Sequence, residues 1–382
     1  MTHPIVIIGT GLAGYNTARE FRKLDKETPV LVIAADHGHY YSKPMISNAL
    51  ASGKTAETLP IKNAEQMAKE ISGQVRTLTR VSRILPARHQ VMVGDEIIDY
   101  SKLVLALGAS QIRIDLEGDA ADQVLSVNDL IDYGSFRAAI AGKKNVVIFG
   151  AGLIGCEFAN DLVASGHVVD VIDIAPQPLG RLLTAEGGAI MQRKLADAGV
   201  RWHLNTSAKS VERDAERLKV TLKDGKVLTA DVVLSAIGLK PNIALAQQAG
   251  LATARGIVVN RRLQTSDPDV YALGDCVEVE QLVLPFIMPI MHAARVCAAN
   301  LAGKEARLSY PAMPVIVKTP ACPTVVSPPA AGAKGEWQVT VTADGVKACF
   351  VDETGKLLGF ALNGTAMTEK IALTAQLPPV MS

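Results

Sequence analysis

Pro4-Ile5-Val6-Ile7-Ile8-Gly9-Thr10-Gly11-Leu12-Ala13-Gly14 and Asn145-Val146-Val147-Ile148-Phe149-Gly150-Ala151-Gly152-Leu153-Ile154-Gly155 carry one pattern twice: a branched apolar run, then Gly-x-Gly-x-x-Gly. Such a run, closed by glycine, suits a strand buried on both faces. The stretch after each last glycine suits a helix, so both clusters fall on strand-to-helix turns. There the first glycine permits the tight bend, the second lets a pyrophosphate approach the backbone, and the third lets helix and strand pack closely. The helix then meets the phosphates with unpaired N–H groups and its positive end. One copy could be a chance glycine-rich turn; two in the same context point to two bound dinucleotides. A flavin and a nicotinamide held by one chain make a hydride-transfer machine.

Working outward, residues 4–8 read as a strand, 12–24 as a helix, 30–34 as a second strand and 103–107, ending at Gly108, as another. The order repeats over 145–149, 153–164, 168–172 and 230–237, the last ending at Gly238, with a helical connector over 129–141. Beyond Pro241, the stretches 256–260 and 265–275 suit no third βαβ unit and read as a return to an earlier sheet. Pro289 can open a helix through about Leu301. From Met313 prolines crowd, strands are parted by Asp344-Gly345 and Thr354-Gly355, and 365–377 suits a closing helix. The expected fold is α/β: two Rossmann-like doubly wound dinucleotide-binding domains plus a small α+β C-terminal domain. The expected units are 1–112 with 243–312, then 113–242, then 313–382.

The 382 residues, 48% of them hydrophobic, exceed one ordinary core and suit two or three domains. Thirty-nine basic against 38 acidic residues give a net charge of +1, which favours neither nucleic acid nor a polybasic membrane anchor. The apolar run before Gly9 is too short for a signal-peptide core or a membrane span, so a cytoplasmic protein is expected. Five scattered cysteines without a CxxC pair read as reduced thiols, and no metal site is expected.

Asp173 ends the strand after the second glycine cluster, at the spacing of the acid that hydrogen-bonds an adenosine ribose. Ile174, Ala175 and Pro176 offer no cation for a 2′-phosphate, so NADH is expected over NADPH, although Arg181 lies close in sequence. The plainer alternative is a strand-end aspartate serving a turn. After the first cluster the matching strand ends Ala34-Ala35-Asp36, so the ribose acid there is displaced or replaced by backbone contacts.

Together, Gly9 to Gly14, Gly108-Ala109, Gly150 to Glu157, Ser235 to Pro241 and Thr265 through Gly274-Asp275 resemble the two-dinucleotide flavoproteins, the pyridine-nucleotide-linked reductases. Within them, Tyr40-Tyr41-Ser42-Lys43-Pro44, Leu284 to Pro289 and Val317 to Pro323 look like the rubredoxin reductases of alkane-oxidising bacteria. The resemblance implies FAD in the first module, NADH in the second and rubredoxin as acceptor. It sets Gly274-Asp275 at the FAD ribityl chain, aims the helix near Pro289 at the flavin, and lines the FAD site with Val81, Ile287 and Lys318. It also brings Lys43 and Glu157 into one cleft as an opposite-charge pair beside the reacting rings. On the residues alone, Lys43 reads as a solvated loop lysine and Glu157 as a carboxylate on a helix face.

Relatives that reduce disulfides or peroxides keep cysteines shortly after the first cluster, whereas here the first cysteine is Cys156, expected to be packed. Without a thiol relay, electrons must leave the flavin directly for a separate carrier. An acidic rubredoxin would call for a local basic patch and a rate that falls with salt. Flavorubredoxin and ferredoxin reductases are the alternatives, and a flavin-containing binding protein that merely responds to NADH is the reading from another class.

Overall fold

A computed structural model of the chain describes residues 3–382. The first apolar run forms Ile5–Ile8, buried throughout, in the middle of a five-stranded parallel sheet. Across that sheet the order is Val270–Ala272, Lys102–Leu105, Ile5–Ile8, Val30–Ile33, Gln74–Arg76. The second run forms Asn145–Phe149 in a four-stranded parallel sheet ordered Val200–His203, Val168–Ile172, Asn145–Phe149, Val232–Ser235. Each parallel sheet has a three-stranded antiparallel companion, Arg83–Leu85, Gln90–Val93 and Glu96–Asp99 in the first module, Ala208–Asp214, Arg217–Leu222 and Val227–Ala230 in the second. The two modules therefore share one plan.

The helices Leu12–Leu24 and Leu153–Ala164 start where the glycine clusters predict. The first packs along Ile287–Leu301, so a segment nearly 300 residues distant completes the first core, together with Val270–Ala272. Both crossings between the modules run side by side as an antiparallel ribbon, Ala109–Gln111 against Leu239–Pro241. The remainder folds as a five-stranded antiparallel sheet ordered Val315–Val317, Thr324–Ser327, Leu357–Gly364, Gly345–Val351, Glu336–Val341. Among the described residues no helix is long and apolar enough to cross a membrane.

A second apolar cluster ties the units together. Ile46, Ala49 and Leu59 leave the first module to pack with Phe158 and Leu162 of the second and with Val317, Cys322 and Val326 of the C-terminal unit. Full burial of an Ile or Leu side chain is worth about 1.5–3 kcal/mol, so this shared cluster resists separation of the three units.

Several element boundaries differ from the sequence expectation. The helix expected from Pro289 starts at Ile287, with Pro289 as its third residue. The first four helical N–H groups have no partner within the helix, so the missing donor is harmless there too. The strand expected over 230–237 is two, Val227–Ala230 and Val232–Ser235. Asp231 parts them, its carboxylate accepting the N–H groups of Lys144 and Asn145. Only Val270–Ala272 rejoins the earlier sheet, because Ile257–Val259 pairs with Val277–Val279 instead. The closing helix is broken into a 3-10 turn, Thr365–Glu369, and a short α-helix, Lys370–Thr374.

Candidate functional site

The glycines of both clusters separate into three mechanical roles. Gly9 has φ +115°, and a Cβ there would lie 2.2 Å from the carbonyl oxygen of Ala106. Gly150 has φ +101°, with its Cβ position 2.7 Å from the oxygen of Ala236. At Gly14 and Gly155 the same construction falls 1.9 Å from the oxygens of Gly9 and Gly150, so only glycine lets each helix sit on its turn. Gly11 and Gly152 face open space, with nothing within 4 Å, and each occupies the N-cap of its helix with no side chain closing the first turn. Two free helix N-termini, each with room over its middle glycine, make two cradles for a pyrophosphate.

Around the first cradle, Thr10 donates its hydroxyl to Asp36 Oδ1 at 3.3 Å, and the same oxygen accepts the Gly38 N–H at 2.8 Å. The carbonyls of Ala34 and Asp36 take the N–H groups of Thr79 and Leu78. Those bonds clamp the loop leading to the buried Val81 against the strand end. Ala35 is exposed there. Gly274 abuts the start of the first helix, its absent Cβ lying 2.8 Å from that of Ala13. Asp275 follows with a buried Oδ1 that has no hydrogen-bond partner. An unpaired buried acceptor costs free energy unless a donor meets it, and a polyhydroxyl chain laid across the cradle would supply one.

Lys43 enters this space from the first residue of the 3-10 helix Lys43–Asn48. Burial holds its ammonium below the ordinary lysine range, opposed by Asp275 and then by Asp129 and Asp132. Burial likewise pushes the Asp275 carboxyl up, opposed by Lys43. Leu12 and Ile287, at the starts of their helices, are half-buried and exposed respectively.

The expected Lys43–Glu157 pair does not form. Among the described residues Lys43 makes no ion pair, and the buried Glu157 is bound by Lys318, whose ammonium meets Oε2. The Lys318 backbone N–H adds a bond to Oε1 at 2.9 Å, and the Ser47 hydroxyl one to Oε2 at 2.5 Å. The physical reason is placement: Lys318 directly follows the C-terminal strand Val315–Val317, whose Val317 packs in one cluster with Phe158 and Leu162 of this helix, whereas the carboxylate that most opposes the burial of Lys43 is Asp275. Ser47 and two neighbours of Glu157 were missed in the sequence. Asp161 accepts the Leu50 and Ala51 N–H groups at 2.9 and 3.0 Å, and Asn160 accepts that of Ala321 at 3.0 Å. A signal was present: Glu157, Asn160 and Asp161 recur at i, i+3 and i+4, one face of a helix otherwise rich in apolar residues.

At the second cradle, Asp173 accepts the Ala151 N–H through Oδ2 at 2.5 Å and the Ala175 N–H through Oδ1 at 2.7 Å. It thus serves the turn, and each oxygen keeps further acceptor capacity. Ile174 beside it is 73% exposed. Gly108 (φ +66°) and Gly238 (φ +123°) flank the ribbon between the modules, where Gly108 O accepts from Asn242 and Gly238 O from Ile112. Cys156 is fully buried, its thiol pushed far up by burial and bonded to the Ala151 carbonyl. All five cysteines are free.

The family profile of the pyridine nucleotide-disulphide oxidoreductases matches residues 3–298, and that of the rubredoxin binding C-terminal domain matches 307–377. The chain is 50% identical to a rubredoxin-NAD(+) reductase of Alcanivorax borkumensis, over 99% of this chain and 100% of the relative. It is 47% identical to a rubredoxin-NAD(+) reductase of Acinetobacter baylyi, over 99% of both. Its backbone is similar to that of a ferredoxin reductase from Rhodopseudomonas palustris, with a TM-score of 0.89 and 26% identity over 99% of this chain and 96% of that one.

Proposed function

Since the chain belongs to the pyridine nucleotide-disulphide oxidoreductase family, we propose that it is an NADH-dependent FAD enzyme that reduces rubredoxin. The observation that carries this reading is the 50% identity, end to end, with a rubredoxin-NAD(+) reductase. The geometry supports it independently, with two open glycine cradles and one polar cluster to which all three units contribute. A bound FAD would supply two-electron acceptance from a hydride donor and one-electron release, the match that a one-electron iron carrier requires.

The chain's own residues prepare the site. Gly9, Gly11 and Gly14 hold the FAD pyrophosphate; Asp275 offers its free acceptor to ribityl hydroxyls, and Lys43 brings a positive charge to the same space. Gly150, Gly152 and Gly155 hold NADH, and the remaining lone pairs of Asp173 take the adenosine ribose. The N-terminus of Ile287–Leu301 favours negative charge beside it by about 0.5–2 kcal/mol. Glu157, Ser47 and Lys318 stand where the units meet. The working units run over 1–112 with 243–312, 113–242 and 313–382, a division supported by the separate sheets. Five free thiols favour the cytoplasm.

Anaerobic addition of NADH tests the reading. The yellow absorbance of the flavin is expected to bleach and to return on adding rubredoxin. Absence of bleaching refutes an oxidoreductase, and recovery with flavorubredoxin or ferredoxin but not rubredoxin reassigns the acceptor.

A further inference from the structure

We infer that Ser47 is a positioning residue for electron entry from NADH, acting through Glu157. The inference rests on the NADH and FAD reading above. Ser47 is 5% exposed and closes the cluster from the first module. Its Oγ lies 2.5 Å from Glu157 Oε2, 3.2 Å from Lys318 Nζ and 3.2 Å from the Pro44 carbonyl oxygen. A lysine ammonium has donors only, so Lys318 donates to Ser47 and the single serine hydrogen is left for an oxygen. Of the two oxygens in reach, the carboxylate is nearer and charged, and charge-assisted bonds are the stronger ones.

Three residues, 110 and 161 positions apart, thus meet at one buried carboxylate, one from each unit. Both of the other donors to Glu157 belong to Lys318. Without the hydroxyl the carboxylate is held from the C-terminal side alone, and nothing in the pair fixes it to the segment that carries Lys43. Ser47 and Lys43 lie on one 3-10 helix, so the hydroxyl ties the carboxylate itself to that helix, whereas the Leu50 and Ala51 bonds to Asp161 tie only the backbone that carries it. A displacement of about 1 Å at a reacting centre can cost on the order of a hundredfold in rate, and loss of one hydrogen bond among three is expected to cost about tenfold.

The test is a double-mutant cycle of Ser47→Ala and Glu157→Gln, with two readouts: the rate of flavin bleaching at saturating NADH, and the position of the long-wavelength flavin band before NADH is added. Coupled residues give non-additive effects. S47A is expected to slow bleaching about tenfold and to move the band, to do both far less in the E157Q background, where the remaining amide oxygen is an uncharged and weaker acceptor, and to be rescued by S47T. Equal slowing in both backgrounds, or no slowing in either, overturns the inference. If S47A does not fold, S47C, near-isosteric and a weak donor, takes its place in the cycle under the same criteria. A wild-type protein that NADH fails to bleach overturns the functional reading first, before any variant is compared.

Discussion

Gly152→Ala and Gly155→Ala, three residues apart in the same turn, should fail in different ways. At Gly152 the backbone is extended, with φ −75° and ψ −169°, which alanine adopts freely, and no atom lies within 4 Å of the new methyl. Folding should change by less than about 1 kcal/mol, the scale of an N-cap preference. The methyl instead occupies the space through which a phosphate reaches the helix N–H groups. Losing one charge-assisted bond of about 1.5–3 kcal/mol weakens NADH by about 10- to 150-fold. At Gly155 the methyl would sit 1.9 Å from the Gly150 oxygen, far inside contact distance, so helix and strand must part. Overpacking of this kind costs about 1–3 kcal/mol of stability and carries Glu157, two residues on, out of place. Thermal denaturation of both variants, with the NADH concentration that half-saturates flavin bleaching, separates the two effects. If G152A binds NADH as tightly as wild type, or loses as much stability as G155A, the middle glycine is not a phosphate cradle and the reasoning fails.

Asp173→Ala with Ile174→Arg should turn the coenzyme preference toward NADPH by at least about a hundredfold, since the acid is removed and a cation placed on an exposed position. kcat/KM with each coenzyme checks it, and an unchanged ratio removes Asp173 from the ribose site. Lys318→Met leaves Glu157 charged, buried and held only by Ser47 and a backbone N–H; a loss of about 3 kcal/mol is expected in denaturant titration, largely recovered by adding Glu157→Gln. Asp231 offers a pH test. Burial raises its carboxyl, but the Asn145 and Lys144 N–H groups, the Asn145 side chain and Arg217 outweigh that and bring it from 3.8 down to about 2. A depressed folded value means that the stabilisation, about 2 kcal/mol, is complete above the unfolded value and fades as pH falls from about 4 to about 2. Asp231→Ala should therefore be less stable at pH 7 and converge with wild type near pH 2; a gap that persists at pH 2 contradicts the linkage.

Both glycine clusters were legible because the turn itself is local, even though the neighbouring strand ends at Ala106 and Ala236 press on Gly9 and Gly150 as well. A positive φ at Gly9 and Gly150, and helix-on-turn contacts at Gly14 and Gly155, involve atoms a few residues apart, so the pattern that encodes them is short. Helix starts at Leu12 and Leu153 follow from the same turns. Asp173 stands at the strand end where the spacing sets it, and its bonds to Ala151 and Ala175 serve the turn there. The Asp231 break was not, because what stops the strand is a carboxylate capping Lys144 and Asn145 on a chain segment 86 residues earlier.

What this sequence determined by itself was the repeated dinucleotide grammar, the fold class that follows from it and, through resemblance, a flavin reductase with a carrier partner. What only tertiary structure decided was which charges meet. Lys43 and Glu157 were expected as a pair, yet Glu157 is taken by Lys318 and Ser47, and the carboxylate that most opposes the burial of Lys43 is Asp275. Turn geometry is set by neighbours along the chain, whereas the partner of a buried charge is set by which surfaces distant chain segments press together, and no short-range pattern records that choice.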